Sequence, residues 1–142
     1  MSSKTRSPAQ VFALLFGAVL TVAGILGFFV NASFEIAARV DRDTLILFDI
    51  NGWHNVVHLV SGVIGLGLAG SWAGARAYAF GLGAVYVVLT IVGFIVGDGG
   101  TLVMLVPINI EDNFLHLAIA IAGLAAGAAT PAAPAPTTAA AA

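Results

Sequence analysis

Residues 50–66, INGWHNVVHLVSGVIGL, decide the fold, because the pattern returns at residues 108–124 as INIEDNFLHLAIAIAGL. Aligned position by position, Ile50/Ile108, Asn51/Asn109, Asn55/Asn113, His58/His116, Leu59/Leu117, Gly65/Gly123 and Leu66/Leu124 are identical. At about 100° per residue in helical projection, Asn55, His58, Gly62 and Gly65 share one face. Asn113, His116, Ala120 and Gly123 do the same in the second copy. Each copy thus writes a polar spot and a groove of small side chains onto one helix.

Composition sets the solvent in which those helices sit. The 142-residue chain is 60% hydrophobic and 8% charged, with a mean hydropathy of +1.05, against roughly a quarter charged in soluble domains. This is the composition of an integral membrane protein. A net charge of -2 and a pI near 5.8 leave no basic surface for nucleic acid. With no cysteine, disulfides, thiolate metal sites, iron–sulfur clusters and cysteine nucleophiles are excluded.

Four apolar runs follow in order. A polar head, residues 1–7, carries Lys4 and Arg6 and leads to Pro8, a residue suited to the first position of a helix. Residues 11–30 hold no charge and, at about 1.5 Å per residue, cover a hydrocarbon core of about 30 Å. The run is longer than the apolar part of a secretory signal, and no A-x-A site follows it, so it reads as an uncleaved anchor. Residues 31–49 are the most charged stretch and read as a surface loop, with one short amphipathic helix over 33–40 as the competing expectation. The second helix is expected from about Asn51 to Trp72, with Trp53 and Trp72 at its two interfacial ends.

A Gly-containing turn over 71–76 leads to a third uncharged run, 77–96, which GDGG at 97–100 ends. After a short apolar segment the fourth helix starts at Asn109, Glu111 and Asp112, where carboxylates suit the positive end of the helix dipole, and extends to about Ala129. The tail from Thr130 to the end, rich in Pro, Ala and Thr, has no pattern that could bury a face and is expected to be disordered. The expected fold is therefore an all-α integral membrane protein with a four-helix transmembrane domain over 8–129. A second and fourth helix that repeat, with a weaker echo of Gly27-Phe28 in Gly93-Phe94, imply two helical hairpins of like orientation about an axis along the membrane normal. Helices two and four should then face each other through their glycine grooves.

Basic residues set the orientation. Lys4, Arg6 and Arg76 against Arg39 and Arg42 place both termini on the cytoplasmic side of a cell membrane. The partner this requires is the lipid bilayer; other membrane subunits, or a second copy of the chain, are compatible with the abundant small-x-x-x-small pairs.

The polar candidates are His54, His58 and His116 with Asn55 and Asn113, all within about two turns of the helix starts. Polar groups there avoid lipid and point into the bundle. The plain reading is structural: Asn55, His58, Asn113 and His116 hydrogen-bond across the helix interface, and no cofactor is involved. His58 and His116 are expected close together at matched depth, with His54 nearer to water. Three functional readings compete with it. His58 and His116 could bind a haem b between facing helices. His54 and His58, at i, i+4, with His116 could hold a divalent metal, with Glu111 or Asp112 supplying a carboxylate. The cluster could also form the entrance of a path for protons or a small solute. No nucleophile motif, P-loop or dinucleotide fingerprint is present, and no enzymatic activity is expected.

FDINGWHNVVHL at residues 48–59 and DNFLHL at 112–117, set among four short spans, resemble the small bacterial membrane proteins grouped as domain of unknown function 4383. The resemblance covers residues 7–127. It implies an integral membrane protein, mostly of high-GC Gram-positive bacteria. It carries no assigned activity, so it gives no residue a catalytic role.

Overall fold

The computed structural model describes residues 5–36 and 40–132. Ser7 opens helix α1 (Pro8–Val30) with a capping box: its hydroxyl accepts from the Gln10 N–H at 3.2 Å, and the Gln10 side chain accepts from the Ser7 N–H at 3.1 Å. Then come strands β1 (Asp43–Leu45) and β2 (Phe48–Ile50) and helices α2 (Gly52–Leu68) and α3 (Trp72–Val96). Strands β3 (Thr101–Leu102) and β4 (Val106–Pro107) precede helix α4 (Ile110–Ala128). Three of the helices, α1, α3 and α4, are long and apolar enough to cross a membrane.

The wholly helical expectation is corrected at the two long connections. Each folds into an antiparallel hairpin, with Thr44 opposite Asp49 in the first and Leu102 opposite Val106 in the second. The turns place Ile46, Val103 and Met104 at positive φ (62°, 44° and 60°), a region that Gly or Asn normally fills. The short helix anticipated over 33–40 is not formed at 33–36, and residues 37–39 lie outside the described residues.

The turn between α2 and α3 is also shorter than expected. Ser71 accepts from the Gly74 N–H at 3.0 Å and caps α3, so Trp72 begins the third helix instead of closing the second.

Small residues decide which helices meet. Gly17 of α1 lies against the backbone of Gly62 and Leu66, and Gly24 against Asn55 and Leu59, so α1 and α2 run antiparallel at close range. Gly83 of α3 lies in the same way against Ala120 and Leu124 of α4. The anticipated contact of α2 with α4 through Gly65 and Gly123 is not made. Gly65 receives the Tyr78 ring of α3, whose hydroxyl donates to the Ser61 carbonyl at 3.1 Å, and Gly123 faces Ala79 and Gly83. A large ring that needs a notch thus outcompetes the second groove.

The core of the bundle is built of Ala9, Phe12, Ala13, Ala75, Tyr78, Ala79, Leu82 and Ala120, while Leu15, Val22, Val63, Val85, Val88 and Ile91 point outward with about half their surface free. Small residues inside and branched aliphatics outside are the reverse of a water-soluble core and suit packing within lipid.

The end opposite the hairpins is tied by polar bonds. Gln10 donates to the Ala69 carbonyl at 3.1 Å. Thr130 is fully buried: its hydroxyl accepts from the Ala9 N–H at 2.9 Å, and its carbonyl accepts from Arg76 Nε at 2.7 Å. Trp72 Nε1 donates to the Pro131 carbonyl at 2.8 Å. Thr130 and Pro131, the first residues of the anticipated tail, thus bond to the bundle. Residues 133–142, the rest of the anticipated tail, lie outside the described residues.

Candidate functional site: a histidine–aspartate chamber under two hairpins

The helix starts fix the site. Asn51 caps α2, its side-chain oxygen accepting from the His54 N–H at 3.0 Å, and Asn109 caps α4, accepting from the Asp112 N–H at 2.9 Å. The other side-chain atom of each reaches across the molecule. Asn51 Nδ2 donates to the Leu105 carbonyl in the second hairpin at 2.7 Å, and Asn109 Nδ2 donates to the Leu47 carbonyl in the first at 2.8 Å. The two hairpins are thereby latched to each other's helix starts, and they roof the space between α2 and α4.

Under that roof the capping geometry orients the third residue of each helix inward. His54 is 3% exposed, and its Nδ1 lies 2.8 Å from the Asp49 carbonyl. A carbonyl only accepts, so Nδ1 carries the hydrogen and Nε2 the lone pair. That lone pair faces His58 Nε2 at 3.1 Å, which must donate. The expectation that His54 reaches water is corrected: the backbone of β2 covers it.

Asp112 is 1% exposed, and its carboxylate accepts from the Asn109 N–H at 3.3 Å. His116 is buried with its ring edge-on to Tyr86 at 5.0 Å, and its Nδ1 has no hydrogen-bond partner. His54, Asp112 and His116 each offer one ligating atom, all within 4.8 Å of one another. His54, His58, His116 and Tyr86 line one cavity of about 290 Å³. On the other side His58 meets an apolar cavity of about 460 Å³ between α1, α4 and the first hairpin.

The histidines named from the sequence therefore come together, His58 and His116 on one cavity, and Asp112 joins them, whereas Glu111 is exposed. The two asparagines do not join. Asn55 lies against Gly27 and donates to the Asn31 carbonyl at 2.7 Å, and Asn113 lies against Gly93 with both amide atoms unpaired. Each bridges α1 to α2, or α3 to α4, instead of crossing between pairs, because a glycine on the adjacent helix leaves room only there. Three contributors were not among the site residues named from the sequence. Tyr86 gave no signal, but Asn51 and Asn109 did, as identical residues of the duplicated motif.

A family model described as domain of unknown function (DUF4383) matches residues 10–129. The chain belongs to this family. That match covers the four helices from the third residue of α1 onward, both hairpins and every residue of the chamber. No curated protein and no solved structure matches the chain.

Proposed function

We propose that this DUF4383 protein is a four-span cell-membrane protein of two like-oriented helical hairpins, a small accessory subunit whose working part is the buried polar chamber. Helix α2 has 17 residues, about 26 Å of helix, which is within the range that spans a bilayer when flanked by antiparallel partners. The observation that carries the reading is the correspondence of contacts. Gly17 with Gly62/Leu66 matches Gly83 with Ala120/Leu124, Gly27 with Asn55 matches Gly93 with Asn113, and the cap of Asn51 on Leu105 matches that of Asn109 on Leu47. Two units related in this way would set His58 and His116 at one depth, and both line one cavity.

Both termini lie in the cytoplasm in this reading, with the hairpin roof outside. Arg6 and Arg76 share the end of the bundle opposite the hairpins, and the chain enters α1 and leaves α4 there. Cysteines at Ser3→Cys and Asp98→Cys test it with a membrane-impermeant thiol reagent on intact cells. Only Asp98→Cys should react before lysis. Reaction of Ser3→Cys from outside, or of both alike, overturns the arrangement. A redox component, binding haem or metal, or a small-solute or proton transport component is the second reading, favoured by the convergence of four potential ligating side chains on one chamber.

A further inference from the structure

We propose that His54, His58, Asp112 and His116 form a site for one divalent first-row transition metal of the zinc type, two ligands from each hairpin unit. The inference rests on the two-hairpin reading above, because it needs the starts of α2 and α4 side by side under one roof. In the duplicated motif His54 stands where Asp112 does, and His58 where His116 does. Both pairs are i, i+4, so each helix presents two donors one turn apart on the inward face.

Geometry supplies the next step. Zinc–nitrogen bonds of about 2.0–2.1 Å set neighbouring ligand atoms of a tetrahedron about 3.3–3.4 Å apart. One ligating atom each of His54, Asp112 and His116 stands at 4.8 Å or less from the others, and His58 joins this group through His54, Nε2 to Nε2 at 3.1 Å, so the four side chains must draw together around the ion. The His54 tautomer is already that of a ligand: Nδ1–H is spent on the Asp49 carbonyl and Nε2 is free. For His58 the proton moves from Nε2 to Nδ1, with no change of charge. His116 Nδ1, buried and without a partner, is a second ring nitrogen that a metal ion would satisfy.

Charge points the same way. Asp112 is buried beside the imidazoles of His54 and His116, and among the described residues the one ion pair is Arg42 with Asp49 at 3.4 Å. A carboxylate held in a low-dielectric interior without a cation is costly, and a dication offsets it. Three imidazoles and one carboxylate without sulfur suit zinc, iron, nickel or copper over calcium or magnesium. Four protein ligands fill a tetrahedron, which makes the site one of holding or bracing rather than of hydrolysis.

The test uses the full chain, free of any affinity tag, purified in mild detergent and stripped with a chelator. Titration with Co²⁺ should give the intense visible bands of four-coordinate cobalt at one ion per chain, and Zn²⁺ should abolish them. His116→Ala and Asp112→Asn should each weaken binding at least about 100-fold. Asp112→Asn preserves shape, and the metal-free melting temperature of each variant separates ligand loss from collapse. Absence of the bands, equal binding by the well-folded Asp112→Asn protein, or a Soret band of haem in the protein as purified would overturn the assignment. If the cysteine labelling above holds while cobalt fails to bind, the metal alone is refuted. If both cysteines label alike, the two-hairpin reading falls and the site with it, whereas outside labelling of Ser3→Cys alone inverts the chain and leaves the cobalt titration as the test of the site.

Discussion

The pair α1/α2 and the pair α3/α4 solve one packing problem with one set of contacts, and they part at the end of their first helix. In the first pair Asn31 follows α1, its N–H donating to the Gly27 carbonyl at 2.9 Å and its own carbonyl taking the Asn55 amide at 2.7 Å. In the second pair Gly97 stands there at φ 85°, which turns the chain away, and the Asn113 amide finds no partner. A residue free to enter the left-handed region removes an acceptor that its counterpart supplies. The same divergence recurs at the helix starts, where His54 faces Asp112. Near-equivalent backbones therefore carry different polar loads: the second pair holds the carboxylate and an asparagine with both amide atoms unpaired, whereas Asn55 in the first pair leaves only its oxygen so.

The contact common to both pairs should be the least forgiving. A Cβ at Gly27 would fall on the Asn55 side-chain oxygen, and one at Gly93 on that of Asn113. Gly27→Leu and Gly93→Leu should each cost upwards of about 3 kcal/mol, the upper range for overpacking, or prevent folding altogether. Unfolding in detergent measures it, and a large loss at one glycine with none at the other would break the equivalence of the pairs.

How much of this was legible from residues alone follows from which forces are local. Four apolar runs, the duplicated motif and its asparagines and histidines are linear patterns, and they marked the helices and the inward-facing histidines. The hairpins were hidden because their turns carry Ile46-Leu47 and Val103-Met104 where Asn-Gly would announce them. The choice of helix neighbours was hidden for another reason. Gly65 and Gly123 are equally good grooves for any partner, and the choice was made by Tyr78 and by the backbone of Ala79, neither of which the motif contains. Asp112 was visible as a helix-start carboxylate. Its alignment with His54 is what its place in the chamber adds.

The latch comes next in expected size. Asn51→Ala and Asn109→Ala each remove a helix cap, at about 1 kcal/mol, and a bond to the opposite hairpin, at about 1 kcal/mol more. Each should therefore destabilise by about 2 kcal/mol in the same unfolding measurement. Because each asparagine holds the other unit's hairpin, the double variant should expose more than either single one. Hydrogen exchange at the backbone amides of the two hairpins, the Leu105 N–H on the Leu102 carbonyl among them, reads that opening. Fast exchange confined to the hairpin whose own helix is mutated would mean that the cross-bonds contribute nothing.

The smallest effect is the one that separates the two pairs. Asn55 and Asn113 fill the same notch against a glycine, so truncating either to alanine loses the same packing. Only Asn55→Ala also loses a hydrogen bond and strands the carbonyl of Asn31, a residue 5% exposed. Both changes remove a side-chain oxygen that had no partner, and Asn113→Ala removes an unpaired Nδ2 as well. A buried hydrogen bond is worth about 1 kcal/mol net, and an unpaired amide costs a comparable amount to keep. Asn55→Ala should thus be the more destabilising by about 1 kcal/mol in metal-free protein, read as a difference between two melts taken in one detergent. Equal losses would show that Asn113 finds a partner in the membrane, and would move the unpaired site of the second pair to His116 alone.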